Sequence, residues 1–313
     1  MPSYEGVHVW VSRTIQVFVN SPTATWMEAS PGDRRPTYKC IPRCEERWPD
    51  RVRRAIRTAF TLFALAALLH PASAAAADAD LDAVLASTHQ RIRLLDYRVT
   101  GRLVKRDGDG HRTTYKFVVK GHWFPDGMRL LCEITGPAEA RTRVLVHMGV
   151  TGHITIDVSP PGSKIASSLP FERWNDGLMG TQFSYEDLVE NQFFWKKQEL
   201  LPRAKYGARD CYVVKSVSGP EDRSYYSSVT SWIDHDILYP VHVVKTLGGS
   251  QQKKEFVYYG LRQTGGVWSA SQVEATLQGK SGSSLFIIEG GTGKAKLVRK
   301  DFDLTQPNVA EEK

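Results

Sequence analysis

Read for hydrophobic and polar positions, the chain changes period as it runs. Leu81, Val84, Leu85, Thr88, Ile92 and Leu95 recur three and four residues apart, which puts them on one face of a helix. Asp78, Asp80 and Asp82 stand at its start and Arg91 and Arg93 near its end, the order that complements the helix dipole. At Asp96 the period becomes two. Tyr97, Val99, Gly101 and Leu103 alternate with Arg98, Thr100 and Arg102, until Asp107-Gly108-Asp109-Gly110 predicts a hairpin. The returning strand sets Tyr115, Phe117, Val119 and Trp123 on one face and Lys116 and Lys120 on the other. The first set is expected to face the core and the lysines water, because a slip of one residue would bury both charges.

Short β-branched runs follow at Met128 to Thr135, Thr142 to Met148 and His153 to Val158, separated by Gly or Pro, and Ser159-Pro160-Pro161-Gly162 ends this half. A second series is predicted near Gln198 to Tyr206, Asp210 to Val217, Ser227 to Asp234, Val241 to Thr246, Lys253 to Thr264, Val267 to Gln278 and Ser283 to Ile288. The connections are too brief to hold crossover helices, which excludes a parallel α/β sheet. One polar face on most strands means that the other must be covered. The fold class expected is α+β: a strongly curved antiparallel sheet, an unclosed β-barrel, with helices covering its concave face.

Between the two series lies Gly180-Thr181-Gln182-Phe183-Ser184-Tyr185-Glu186-Asp187-Leu188, continuing to Phe193-Phe194-Trp195. Ser184 as N-cap and Asp187 three residues on predict a capping-box-like start to a short helix or helical turn, with Glu186 also at its positive end. Phe183, Tyr185, Phe193, Phe194 and Trp195 carry more aromatic surface than attachment of one short element requires. The stretch reads either as a helix packed on the sheet or as a lid over an apolar cavity. Phe117, Trp123 and Leu130, on apolar strand faces, are the matching candidates for the cavity wall.

Ahead of this body, Arg51-Val52-Arg53-Arg54-Ala55-Ile56-Arg57 is basic, Ala59 to Leu69 is apolar and uncharged, and Pro71-Ala72-Ser73-Ala74 follows. That series is a secretory signal with a small-residue cleavage site. It falls about half short of the ~20 apolar residues of a membrane span. Residues 1–50 are expected to be an upstream extension of the reading frame or a disordered leader, 51–74 the signal peptide, and 75–313 one domain. Without residues 1–74 the chain keeps 31 Lys and Arg against 28 Asp and Glu, so its basicity belongs largely to the presequence. The remaining charges are spread singly, without the basic stripe that nucleic acid requires. Cys132 and Cys211 survive processing, and a buried free thiol at Cys132 is as natural as a bridge between them.

Catalytic constellations are missing from the sequence. Gly290-Gly291-Thr292-Gly293-Lys294-Ala295 lacks the first glycine and the Ser or Thr of a phosphate loop and is expected to be a hairpin turn. Asp234-His235-Asp236 reads as a polar turn, and Cys40 with Cys44 lacks a second metal-ligand pair. No enzyme activity, cofactor or metal is therefore expected. Gly180 to Leu188, together with Trp232-Ile233-Asp234 and Tyr239-Pro240-Val241, resembles the two recurrent signatures of the outer-membrane lipoprotein-sorting family, the LolA-like proteins; Lys253-Lys254-Glu255-Phe256 and Gly266-Val267-Trp268 fit the same pattern. The resemblance covers about Asp80 to Thr305. It implies an unclosed barrel whose helices form a lid over a hydrophobic cavity, and a periplasmic carrier of lipoprotein acyl chains or another lipid. An inner-membrane exporter and an outer-membrane acceptor would be its partners. Other readings are an envelope scaffold or adaptor, an exporter-associated binding protein, and, weakest, an enzyme acting on a hydrophobic substrate.

Overall fold

The computed structural model describes residues 72–163, 165–264 and 267–305. The leader 1–50 with Cys40 and Cys44, the signal segment up to residue 71, and Gly266 lie outside the described residues. Helix α1 (Ala72–Arg93) begins ahead of the aspartates, because the alanine run at its start has the strongest helix propensity of any residue type. It buries Val84, Thr88 and Ile92 and half-buries Leu81 and Leu85, the face that the spacing predicts.

Fifteen strands follow among the described residues. The first series is β1 (Asp96–Arg106), β2 (Arg112–Phe124), β3 (Gly127–Gly136), β4 (Thr142–Gly149), β5 (Ile154–Ser159) and β6 (Ser167–Ser168). The second is β7 (Lys197–Tyr206), β8 (Arg209–Val217), β9 (Tyr226–Asp234), β10 (Pro240–Leu247), β11 (Lys253–Tyr259), β12 (Arg262–Thr264), β13 (Val267–Ser269), β14 (Gln272–Leu277) and β15 (Ser283–Thr292). Thirteen of them form one sheet in the order β6-β5-β4-β3-β2-β1-β15-β14-β11-β10-β9-β8-β7. Two antiparallel meanders thus join where β15 pairs with β1, and the sheet ends unclosed at β6 and β7. One contiguous core holds Ile156 of β5 together with Val214 of β8, strands that ten ladder steps would set about 48 Å apart in a flat sheet. The sheet is therefore strongly curved, and its concave face carries the core.

The β1–β2 hairpin has the predicted register, Arg106 opposite Arg112, with Phe117 and Val119 buried and Lys116 exposed. Lys120 departs from expectation: it lies on the outer face as predicted, yet is only 7% exposed. The C-terminal segment covers it. Leu297, Phe302 and Leu304 pack against Phe124 and Leu131 as a second small core, and Arg143 holds the segment by donating to the carbonyls of Leu304 at 2.6 Å and Asp303 at 2.9 Å. Glu133 sits beneath, 3.1 Å from Arg143 and 3.4 Å from Lys120.

Two other expectations change. The long strands 253–264 and 267–278 are both interrupted, at Gly260 (φ +59°) and at Ala270-Ser271, so β12 and β13 form a separate two-stranded ribbon. Gly290 and Gly291 make no hairpin turn; they are the end of β15, opposite Thr100 and Val99 of β1, with Gly291 at φ +144° beside a register shift. Asp234-His235-Asp236 does turn: Asp234 Oδ1 accepts from the backbone N–H groups of Asp236 and Ile237. Cys132 and Cys211 are both free and buried, and burial pushes the Cys132 thiol up to about 12.

Candidate functional site

The chain passes from one open edge of the sheet, β6, to the other, β7, through residues 169–196. This crossing contains no α-helix. It is wound as 3-10 turns, among them Glu186–Leu188 and Asn191–Phe194. Half of the capping box predicted at Ser184 forms: its N–H donates to Asp187 Oδ2 at 2.8 Å, but its hydroxyl donates to the same oxygen at 2.7 Å instead of accepting from the backbone, and Tyr185 is the N-cap of the turn. Its setting is not a solvated helix start, however, because the Asp187 side chain is fully buried.

The reason lies in the β10–β11 register. Lys245 stands directly opposite Lys254, and both point to the core, an arrangement that is unfavourable unless an anion lies between them. Asp187 is that anion: Lys245 Nζ donates to Oδ1 at 2.9 Å, Lys254 Nζ to Oδ2 at 2.8 Å, and the Tyr226 hydroxyl to Oδ1 at 2.8 Å. Burial alone would raise the pKa of Asp187, but the two ammonium groups reverse this and hold it well below the usual carboxylate range. Its neighbour Glu186, also fully buried, accepts from Ser224 Oγ and from the Tyr225 N–H. Desolvation dominates there and raises its pKa. Asp187 on the two lysines, and Glu186 on Ser224 and the Tyr225 N–H, fix the crossing to the sheet.

Beside this anchor is a cavity of about 320 Å³. Much of its wall is apolar: Ile92 in the last turn of α1, Leu95 just after it, Val99 of β1, Leu130 of β3, Phe183 and Val189 of the crossing, Phe256 of β11, and Phe286 of β15. Phe183 meets Phe256 at a tilt, 5.8 Å between ring centres, and Phe286 edge-to-face at 5.7 Å. Val267 and Trp268 of the β12–β13 ribbon contribute to the wall, as do Leu94, which is exposed, and Gly290 to Gly293. Its polar lining includes Asp96, Asp187, Arg262 and Thr292 as well as Arg91, Glu190, Tyr239 and Tyr258. Arg91 donates to Glu190 at 2.8 Å and lies over the Tyr239 ring, 5.0 Å from its centre. Burial alone would lower the pKa of Arg91, and the Glu190 carboxylate more than offsets this. Burial pushes the Tyr239 phenol up to about 12 and holds that of Tyr258 well above its ordinary value, so both are neutral. A larger depression of about 430 Å³ lies on the outer face, but Arg102, Arg106, Arg112 and Glu274 line it, a wall unsuited to an apolar chain.

Of the residues expected at a cavity, Leu130 and Phe183 line this one. Phe117 lies outside its wall, its ring centre 4.1 Å from that of Phe286 at a tilt of 33°. Phe194 stacks on His89 at 4.4 Å and on Trp123 at 6.1 Å, while Phe193, 1% exposed, accepts a 2.8 Å hydrogen bond from His89 at its carbonyl. Trp195 is buried and Tyr185 half-buried. The sequence reading missed the lysine pair, although alternation contains it: Lys245 shares the inward parity of Val241 and Val243, and Lys254 that of Phe256 and Tyr258.

No curated protein matches the sequence. A family described only as an uncharacterized protein matches residues 163–306. Among solved structures, a domain from Vibrio parahaemolyticus described as an outer membrane lipoprotein-sorting protein has a TM-score of 0.64 at 18% identity, covering 71% of this chain and 97% of that one. A DUF1329 family protein from Desulfovibrio piger gives a TM-score of 0.64 at 16% identity, with coverage of 72% and 97%. A LolA superfamily protein from Nitrosomonas europaea gives 0.55 at 17%, with coverage of 71% and 96%. The described residues therefore have the fold of LolA-like lipoprotein-sorting domains.

Proposed function

We propose that this protein is a periplasmic carrier that takes a lipid or lipoprotein acyl chain into the cavity between α1, the crossing and the curved sheet, and moves it towards the outer membrane. The observation that carries this reading is the apolar cavity of about 320 Å³ walled by Leu130, Phe183, Phe256 and Phe286, at the lower end of the ~300–1,000 Å³ range of small-molecule sites. The shared fold with lipoprotein-sorting domains and the signal-like segment 51–74 support it. Among the described residues no helix is long and apolar enough to cross a membrane. The reading assigns no chemical step to the protein. An inner-membrane donor and an outer-membrane acceptor are the partners it implies.

Lipid extraction and mass spectrometry of the protein purified from the cell envelope test it. A stoichiometric acyl-chain lipid is expected, and protein recovered without any such lipid, and unable to take one up from vesicles, would overturn the reading.

A further inference from the structure

The geometry points to Arg91 as the headgroup site of the cavity, selecting a single-chain amphiphile that ends in a carboxylate; this rests on the carrier reading. At ~30 Å³ for a water-sized group, the cavity of about 320 Å³ holds on the order of ten methylene-sized units. That is one chain of modest length rather than several. The polar end of such a chain requires a partner in the wall, and Arg91 is placed to provide one.

Its side chain is 13% exposed and uses one terminal nitrogen on Glu190, while Nε is buried without an acceptor among the described residues. A buried, unused donor on a charged group is costly unless something occupies it. The planar fork of arginine fits a carboxylate through two parallel hydrogen bonds. Glu190, whose side chain is 27% exposed, holds the position on Arg91 for which a ligand carboxylate would compete. The other carboxylates in the wall are already engaged. Asp187 serves the two lysines, and Asp96 accepts from His122 and from the N–H groups of Lys296 and Leu297.

Calorimetric titration of the purified protein with decanoate and with decanol, below micellar concentrations at neutral pH, tests the assignment. Decanoate is expected to bind roughly tenfold tighter than decanol, the worth of one charge-assisted hydrogen bond. Arg91→Gln should bring the two affinities together by weakening decanoate alone. Glu190→Gln should widen the gap, because it removes the competing carboxylate while sparing the fold. Equal affinities in the unaltered protein, or an Arg91→Gln loss shared by both ligands, would overturn the role of Arg91 and leave the carrier reading standing. If Arg91→Gln does not fold, an unchanged or narrower gap in Glu190→Gln overturns it instead. Binding of neither ligand removes the carrier reading and this inference together.

Discussion

Neighbouring carboxylates Glu186 and Asp187 show how residue-scale chemistry depends on partners rather than on residue type. An aspartate in an unfolded chain titrates near pH 4. The folded value of Asp187 is lower, so the unfolded chain binds more protons through that range. Its contribution to stability is complete above about pH 5 and is lost as the pH falls through the folded value. Glu186 has the opposite sign: its folded value is raised, so its protonated form stabilises the fold below the unfolded pKa, and that contribution is lost as the pH rises through the folded value. Asp187→Asn should therefore cost about 3–5 kcal/mol at pH 7, since it leaves two lysines buried opposite one another. Glu186→Gln keeps one acceptor, for the Tyr225 N–H, and its amide can donate to the Ser224 hydroxyl in place of the second oxygen, so it should cost less than about 1 kcal/mol, or stabilise. Urea unfolding at pH 7 and pH 3 checks both, with the Asp187→Asn deficit shrinking at the lower pH; equal losses for the two variants at pH 7 would refute the division of roles.

Among the elements, the β1–β2 hairpin gives the sharpest comparison, because Phe117, Lys116 and Lys120 lie within five positions and meet three environments. Phe117→Ala should cost on the order of 3 kcal/mol and Lys116→Ala well under 1. Lys120→Ala should fall between them, since Glu133 loses one of two cations and keeps Arg143. Thermal melts of the three variants rank them, and a Lys120 effect no larger than that of Lys116 would mean the C-terminal segment does not seal this face. The hairpin, the face of α1 and the meander order were all legible in the sequence because each depends on spacing within one or two elements. What was not legible depends on distant partners. Alternation placed Lys120 outward, but only Leu297, Phe302 and Leu304 decide that the outside is covered there. Ser184 and Asp187 read as a capping-box-like helix start because the lysines that draw Asp187 inward come about sixty residues later, and the glycines after Ile288 read as a turn because their partner, β1, lies nearly two hundred residues earlier. At the candidate site, local pattern was enough to pick out Leu130 and Phe183 as apolar and inward, yet it could not separate them from Phe193, which serves the core.

For the whole molecule the question is which aromatic and aliphatic surface holds the fold and which is left for a ligand. The curved sheet leaves both edges unpaired and joins them by one crossing, so the crossing must adhere strongly and still border a space. Its two ends divide these tasks. Phe193 is 1% exposed and tied to α1 through the His89 hydrogen bond to its carbonyl, whereas Phe183 meets Phe256 and Phe286 in the cavity wall. Removing the Phe193 ring deletes packing that no ligand supplies, and Phe193→Ala should cost about 3–5 kcal/mol while the folded fraction keeps its affinity for a fluorescent fatty-acyl probe. Filling the space should do the reverse. Val99 is half-buried on β1 and faces the cavity, and an aromatic residue suits a strand, so Val99→Phe should occupy volume that is empty without ligand and leave the unfolding midpoint within about 1 kcal/mol of its original stability. The same change should weaken the probe at least tenfold, because the chain and the new ring compete for a cavity of about 320 Å³. Both quantities are measured on one panel by probe titration and urea unfolding. If Val99→Phe binds the probe as tightly as the unaltered protein does, the acyl chain does not enter this cavity, and the space between α1 and the sheet is a packing gap rather than a site.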